Sequence, residues 1–150
     1  MIATYAVIIF FISLDRWLKI FILNNQNQPF NLAGDILKIN FQANYHIAFS
    51  LPLGGQILLI IISLMVGGLI AAAGYCLKQR DFGKLNSLIL IILGALSNLF
   101  DRFRHGFVVD YLDLKYFTVF NLADAMIAAG ALFLILFSNK KRTAGPSLKE

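Results

Sequence analysis

The fold class this sequence predicts is an integral membrane protein, mainly α, with four transmembrane helices and a small extracytoplasmic β element. Three observations predict it. The 150 residues are more apolar than a soluble domain tolerates, with 59% hydrophobic, 14% charged and a mean hydropathy of +0.74. The apolar residues gather into segments of about 20, the length a bilayer-crossing helix needs. The basic residues crowd the ends of those segments, which accounts for a net charge of +5 without a nucleic-acid partner. No basic stripe of the kind that tracks phosphates is present.

Taken in order, the candidate spans are 2–23, 57–77, 85–103 and 118–138 of a single membrane-embedded domain. The first resembles a secretory leader over its initial apolar run. It lacks a basic n-region and a small-x-small cleavage site, and apolar residues resume after Asp15 and Arg16, so it is expected to be retained. The second carries no charge. Its Gly67–Gly68 pair and the small residues from Ala71 to Gly74 suit close helix packing. Between the first two spans, Asn24 to Pro29 carries turn chemistry, and the run Ile36, Leu37, Ile39 and Phe41 predicts a strand or two on the membrane surface. The tail from Thr143 to Glu150, with Gly145 and Pro146, is expected to be disordered.

Lysine and arginine counts set the orientation. Lys78, Arg80 and Lys84 lie between spans two and three, and Lys140, Lys141 and Arg142 follow span four. The long loop after span one offers Lys38, and the loop after span three mixes Arg102, Arg104 and Lys115 with Asp101, Asp110 and Asp113. Both termini are therefore expected in the cytoplasm. That orientation puts Asp15 and Lys19, Asn98 and Asp101, and Asn121 and Asp124 at similar depths toward the outer face.

The stretch from Gly94 to Asp124 holds four of the eight acidic residues. A charge at a bilayer centre costs about 2.5–3.5 kcal/mol on insertion scales, so such groups face the bundle interior and find partners. Asn121 and Asp124 stand three apart on one helix face, and Asn98, Asp101 and Arg102 repeat the pattern at i, i+3 and i+4. Arg102 is expected to hold Asp101 ionised. Asp110 differs, lying in the β-prone run Val108 to Leu112, where burial raises a carboxyl pKa. Two such aspartates can hydrolyse a peptide without a metal: one takes a proton from water, the other polarises the carbonyl and protonates the leaving amine. Asp113 is the nearer to solvent of the loop acids. Asp15 and Lys19 form an i, i+4 pair, and Lys19 with Ser97 or Ser50 would be the alternative of a serine–lysine enzyme, though no nucleophile elbow supports it. His46 and His105 lack metal-ligand spacing, and the single Cys76 reads as packing. From another class, a small transporter or proton-relay subunit would use Asp15, Lys19 and Asp124, and a non-catalytic assembly factor would need neither aspartate.

Five motifs in order resemble the bacterial lipoprotein signal peptidases, or signal peptidase II. They are Asp15-Arg16-Trp17-Leu18-Lys19, Asn44 to Ser50, Gly94 to Arg102, Gly106 to Asp110, and Phe120-Asn121-Leu122-Ala123-Asp124. The resemblance implies a metal- and cofactor-independent aspartyl endopeptidase of the bacterial cytoplasmic membrane. Its substrates would be prolipoproteins cut before a diacylglyceryl-modified cysteine, with membrane lipids as surroundings and no obligate protein partner. It also implies that Asp110 and Asp124 are catalytic, that Asn44, Asn98, Arg102 and Asn121 line the site with Asp101, and that Asp15 and Lys19 support it. The chain departs from the family pattern at His46, where glycine is usual, at Arg16, where glutamine is common, and in a short Asp110–Asp124 connection.

Overall fold

The structure is a computed structural model that describes residues 2–26, 30–45 and 55–143, the side chains of residue 2 and of 139–143 excepted. Four long helices carry a four-stranded antiparallel sheet. The helices are α1 (Ile2–Asn24), α2 (Gly55–Lys78), α3 (Phe82–His105) and α4 (Leu122–Thr143). The strands are β1 (Phe30–Ala33), β2 (Leu37–Asn44), β3 (Val108–Leu114) and β4 (Val119–Phe120), ordered β1-β2-β3-β4. His46, Ser50 and the tail beyond Thr143 fall outside the described residues.

Helices α2 and α3 are long and apolar enough to cross a membrane, and α4 has a shorter apolar run over Leu122–Ser138. Ile57, Ile60, Leu64, Met65 and Ile70 of α2 are more than half exposed, an apolar face that water would penalise and acyl chains would not. The small residues of α2 do not perform the helix contact expected of them. A Cβ added at Gly67, Gly68 or Gly74 would meet nothing within 4 Å among the described residues. Glycines at close crossings are Gly94 of α3, where an added Cβ would lie 2.5 Å from the Ala123 carbonyl oxygen, and Gly130 of α4, where it would lie 2.8 Å from that of Ser87. Hydrogen in place of a side chain at Gly94 lets the first turn of α4 press onto α3.

Asp81 opens α3 by accepting from the Lys84 amide, and Gly106 closes it with φ +81°. That left-handed residue, cheap for glycine, turns the chain out of the helix and into β3. The β-prone run around Asp110 is β3 as expected, pairing Ala43 with Val109 and Asn44 with Val108 across to β2. The fourth helix starts later than its hydropathy indicates. Val119 and Phe120 pair with Asp113 and Leu112 as β4, and helix begins only at Leu122. The sheet sits on the end of the bundle through a core of Ile22, Ile39, Val109 and Tyr111. Alternation in β3 sends Val109 and Tyr111 into that core, yet Asp110 between them is also only 2% exposed. Both faces of β3 are covered, so the carboxyl is enclosed.

Candidate active site

Three helices and two strands, β2 and β3, deliver the polar residues to one end of the bundle. Asn121 and Asp124 lie three residues apart at the start of α4, and their side chains cap each other. Asn121 Oδ1 accepts from the Asp124 amide at 2.9 Å, and Asp124 Oδ2 accepts from the Asn121 amide at 3.2 Å. This reciprocal capping box satisfies two backbone donors and fixes both side chains at the helix entrance. Asn121 is thus the cap that stops β4 from running on, rather than a residue one turn inside a span.

Asp110 faces this cap. Its Oδ1 accepts from Asn121 Nδ2 at 2.6 Å and its Oδ2 from Asn44 Nδ2 at 2.9 Å. Asp124 Oδ1 accepts from Asn98 Nδ2 at 2.8 Å. Asn121 therefore donates to both carboxylates, to Asp110 through its side-chain nitrogen and to Asp124 through its main-chain amide. Burial pushes the Asp110 carboxyl up to about 6, and the negative charge of Asp124 pushes in the same direction. The bonds from Asn44 and Asn121 and the charge of Lys19 oppose the rise without cancelling it. Arg102 lies within electrostatic reach of Asp124, Asp110 and Asp101.

Behind the pair lies a second cluster. Lys19, fully buried, reaches Asp101 Oδ2 at 2.8 Å, Asp15 Oδ2 at 3.3 Å and Asn98 Oδ1 at 2.8 Å. Arg16 closes on Asp101 Oδ1 at 2.6 Å, with its guanidinium 4.6 Å from the centre of the Phe100 ring. Asp101 thus has ion-pair partners from α1, Arg16 and Lys19, besides the nearby charge of Arg102 on its own helix. Lys19 Nζ and Asn121 Nδ2 both donate to Asn98 Oδ1, the latter at 3.2 Å. With its oxygen claimed twice, the Asn98 amide must turn its NH2 toward Asp124.

Ser97 lies 3.3 Å from Lys19, which is the contact a serine–lysine enzyme needs. Its hydroxyl, however, donates to Asp15 Oδ2 at 2.6 Å, while Lys19 donates to two carboxylates. The serine is a strut in the cluster. Asp113 lies apart, opposite Lys38 and Val119 in the sheet. His105 is exposed at the end of α3, its ring 5.9 Å from that of Phe107.

Sequence reasoning missed Arg16 as an ion-pair partner and Tyr111 altogether. Arg16 had a visible signal, a cation beside Asp15 on a helix that also carries Lys19. Tyr111 read as one more apolar member of β3, and only the fold brings its hydroxyl to Asp15 at 3.0 Å.

Comparison with known proteins identifies the family. The family model described as Signal peptidase (SPase) II matches residues 7–140. A lipoprotein signal peptidase of Halothermothrix orenii is 35% identical over 94% of this chain and 98% of its own. One of Clostridioides difficile is 39% identical over 87% of this chain and 90% of its own. Two solved bacterial membrane enzymes share the fold, with TM-scores of 0.81 and 0.74 at 23% and 22% identity. They align with 100% and 91% of this chain and 94% and 92% of theirs. The chain belongs to the signal peptidase II family of peptidases.

Proposed function

We propose that this protein is a lipoprotein signal peptidase, a four-span aspartyl endopeptidase that removes signal peptides from diacylglyceryl-modified prolipoproteins. It cuts before the lipidated cysteine, in the bacterial cytoplasmic membrane, with both termini inside and the site near the outer face. The observation that carries the reading is Asn121 set between Asp110 and Asp124, its side-chain Nδ2 donating to the Asp110 carboxylate and its main-chain amide to that of Asp124. One carboxylate, ionised, takes a proton from the attacking water. The other, protonated, polarises the scissile carbonyl and then protonates the leaving amine. Neither step draws on a metal or cofactor. Asn44, Asn98, Asn121 and Arg102 surround the pair with donors suited to a peptide backbone, and Asp15, Lys19 and Asp101 support them from behind.

An apolar groove of about 620 Å³ runs along α1 and α4, lined by Val7, Ile8, Phe11, Leu122, Met126 and Phe133. Its Leu122 wall is two residues from Asp124, so an apolar substrate segment can lie in lipid while its scissile bond meets the acids. The relay reading has no such support. Among the described residues the buried charges Asp15, Lys19 and Asp101 are ion-paired with one another, and Asp110 joins them through Asn121 and Asn98 at the same end of the bundle.

The test is cleavage of a diacylglyceryl-modified prolipoprotein in detergent by the wild type, Asp110→Asn and Asp124→Asn. Each substitution should lower the rate about 10²–10⁴-fold with the fold retained. Cleavage by folded Asp110→Asn at the wild-type rate would remove Asp110 from the pair. A folded wild type that never cuts would end the reading.

A further inference from the structure

We infer that the Tyr111 hydroxyl is a positioning residue for the acid pair: it pins the entrance of α4 to β3 and α1, and so sets the relation of Asp110 to Asp124. This rests on reading those two aspartates as the catalytic pair. Tyr111 follows Asp110 in β3 and is fully enclosed. Its ring belongs to the core formed with Ile22, Ile39 and Val109, where phenylalanine would pack equally well. The hydroxyl is what needs an account, since a buried polar group without partners is costly.

It has two partners. Tyr111 OH donates to Asp15 Oδ1 at 3.0 Å, and its oxygen accepts from the Leu122 amide at 3.2 Å. The same Asp15 Oδ1 accepts from the Ala123 amide at 3.1 Å. Asn121 Oδ1 takes the Asp124 amide, and the Asn121 carbonyl takes that of Ala125 at 3.3 Å. The orphan donors of Leu122, Ala123 and Asp124 are therefore satisfied in sequence by β3, α1 and the cap side chain, that of Asn121 by Asp124 Oδ2, and the Ala125 amide makes the first intrahelical bond. Tyr111 is the member of this set on the strand that carries Asp110. Its phenol is raised above its ordinary value by burial and by the charge of Asp15, so it remains a donor.

The physical consequence is a rigid link. One catalytic residue sits on a strand and the other on a helix, and two elements of that kind slide against each other unless something polar fixes their offset. Pairing of β3 with β4 ends at Phe120, the Asn121 side chain on Asp110 holds one point beyond it, and the Tyr111 hydroxyl holds a second that stops the two elements from pivoting about the first. The hydroxyl bridge reaches Leu122, two residues before Asp124, from the residue beside Asp110. Small misplacements of reacting groups are expensive in rate.

The experiment uses the full chain in detergent with a diacylglyceryl-modified prolipoprotein, comparing the wild type, Tyr111→Phe and Asp124→Asn. Tyr111→Phe is expected to lower kcat about tenfold with KM within about twofold, because the substrate-facing amides are untouched. A variant that melts earlier but keeps the wild-type kcat per folded molecule would make the hydroxyl merely structural and overturn the inference. If Asp124→Asn cuts normally, it is the catalytic pair that fails, a different outcome from an inert Tyr111→Phe beside a dead Asp124→Asn. Should Tyr111→Phe not fold, hydrogen exchange on the wild type decides. Slow exchange at the Leu122 and Ala123 amides supports the bridge, and exchange as fast as at an open helix end overturns it.

Discussion

Two clusters of enclosed carboxylates lie side by side in this molecule and are held in different ways. Asp15 and Asp101 are bonded directly to the cations of α1, with Lys19 reaching both and Arg16 closing on Asp101. Asp110 and Asp124 take their hydrogen bonds from the amides of Asn44, Asn98 and Asn121. Asp101, with an ammonium at 2.8 Å and a guanidinium at 2.6 Å, is tied into the frame of the bundle. Asp110, buried among amides and beside the charge of Asp124, binds its proton more tightly than an ordinary carboxyl. The difference lies in partners, not in depth, for Asp101 and Asp110 are both 2% exposed or less. Asn98 joins the two clusters, with its oxygen on Lys19 and its nitrogen on Asp124.

The hardest way to break this contrast is to remove the cation. Lys19→Met should cost about 3–5 kcal/mol, because it takes the ammonium from two buried carboxylates while Arg16 stays bonded to Asp101 alone of the two. It should also release the Asn98 amide to turn. Thermal unfolding in detergent measures the first effect, and kcat of the surviving folded protein the second. A variant as stable as the wild type would mean that the scaffold cluster is not charged in the way its contacts indicate.

The pair itself is sharpened by pH. Asp110, lifted to about 6 from an ordinary 3.8, binds its proton more tightly in the folded protein than in the unfolded chain. Its contribution to stability is therefore present below about 4 and is lost as pH rises through about 6. The rate constant kcat/KM, which reports the free enzyme, should fall through the same region on its basic side. Asn44→Leu removes a bond that favours the ionised form, so that limb should move to higher pH. A limb that stays in place would show that Asp110 is not the group titrating there.

The smallest effect is expected at Asp113, three residues from Asp110 and opposite Lys38 on the sheet. Asp113→Asn should leave cleavage within about twofold and stability within about 0.5 kcal/mol. A large loss of cleavage would move the catalytic assignment along β3.

Much of this was legible in the residues, and the failures have causes. The β-prone run around Asp110 announced an enclosed acid because apolar neighbours on both sides draw a strand under cover and take the carboxyl with them. The pair Asp15 and Lys19 followed from helical spacing and meets at 3.3 Å. The start of α4 was misjudged because Val119 and Phe120 are as apolar as the helix beyond them, and hydropathy does not distinguish a ladder from a turn. Gly67 and Gly68 were given a packing role because small residues in an apolar helix suggest it, yet Gly94 and Gly130 occupy the tight crossings. The departure from the family pattern at His46 lies outside the described residues.

By itself the sequence determined the apolar segments, the polar motifs and their order, since composition, hydropathy and helical spacing are local properties of the chain. It also determined the family, because five short motifs in register constrain one another. Only the tertiary structure decided which acid meets a cation and which meets an amide. The bonds of Asn44 with Asp110 and of Asp15 with Ala123 join positions 66 and 108 residues apart. No local pattern encodes such a partner. It is chosen when helix packing and the end-on sheet bring the groups to one place, and there the chemistry of each aspartate is set by what it touches.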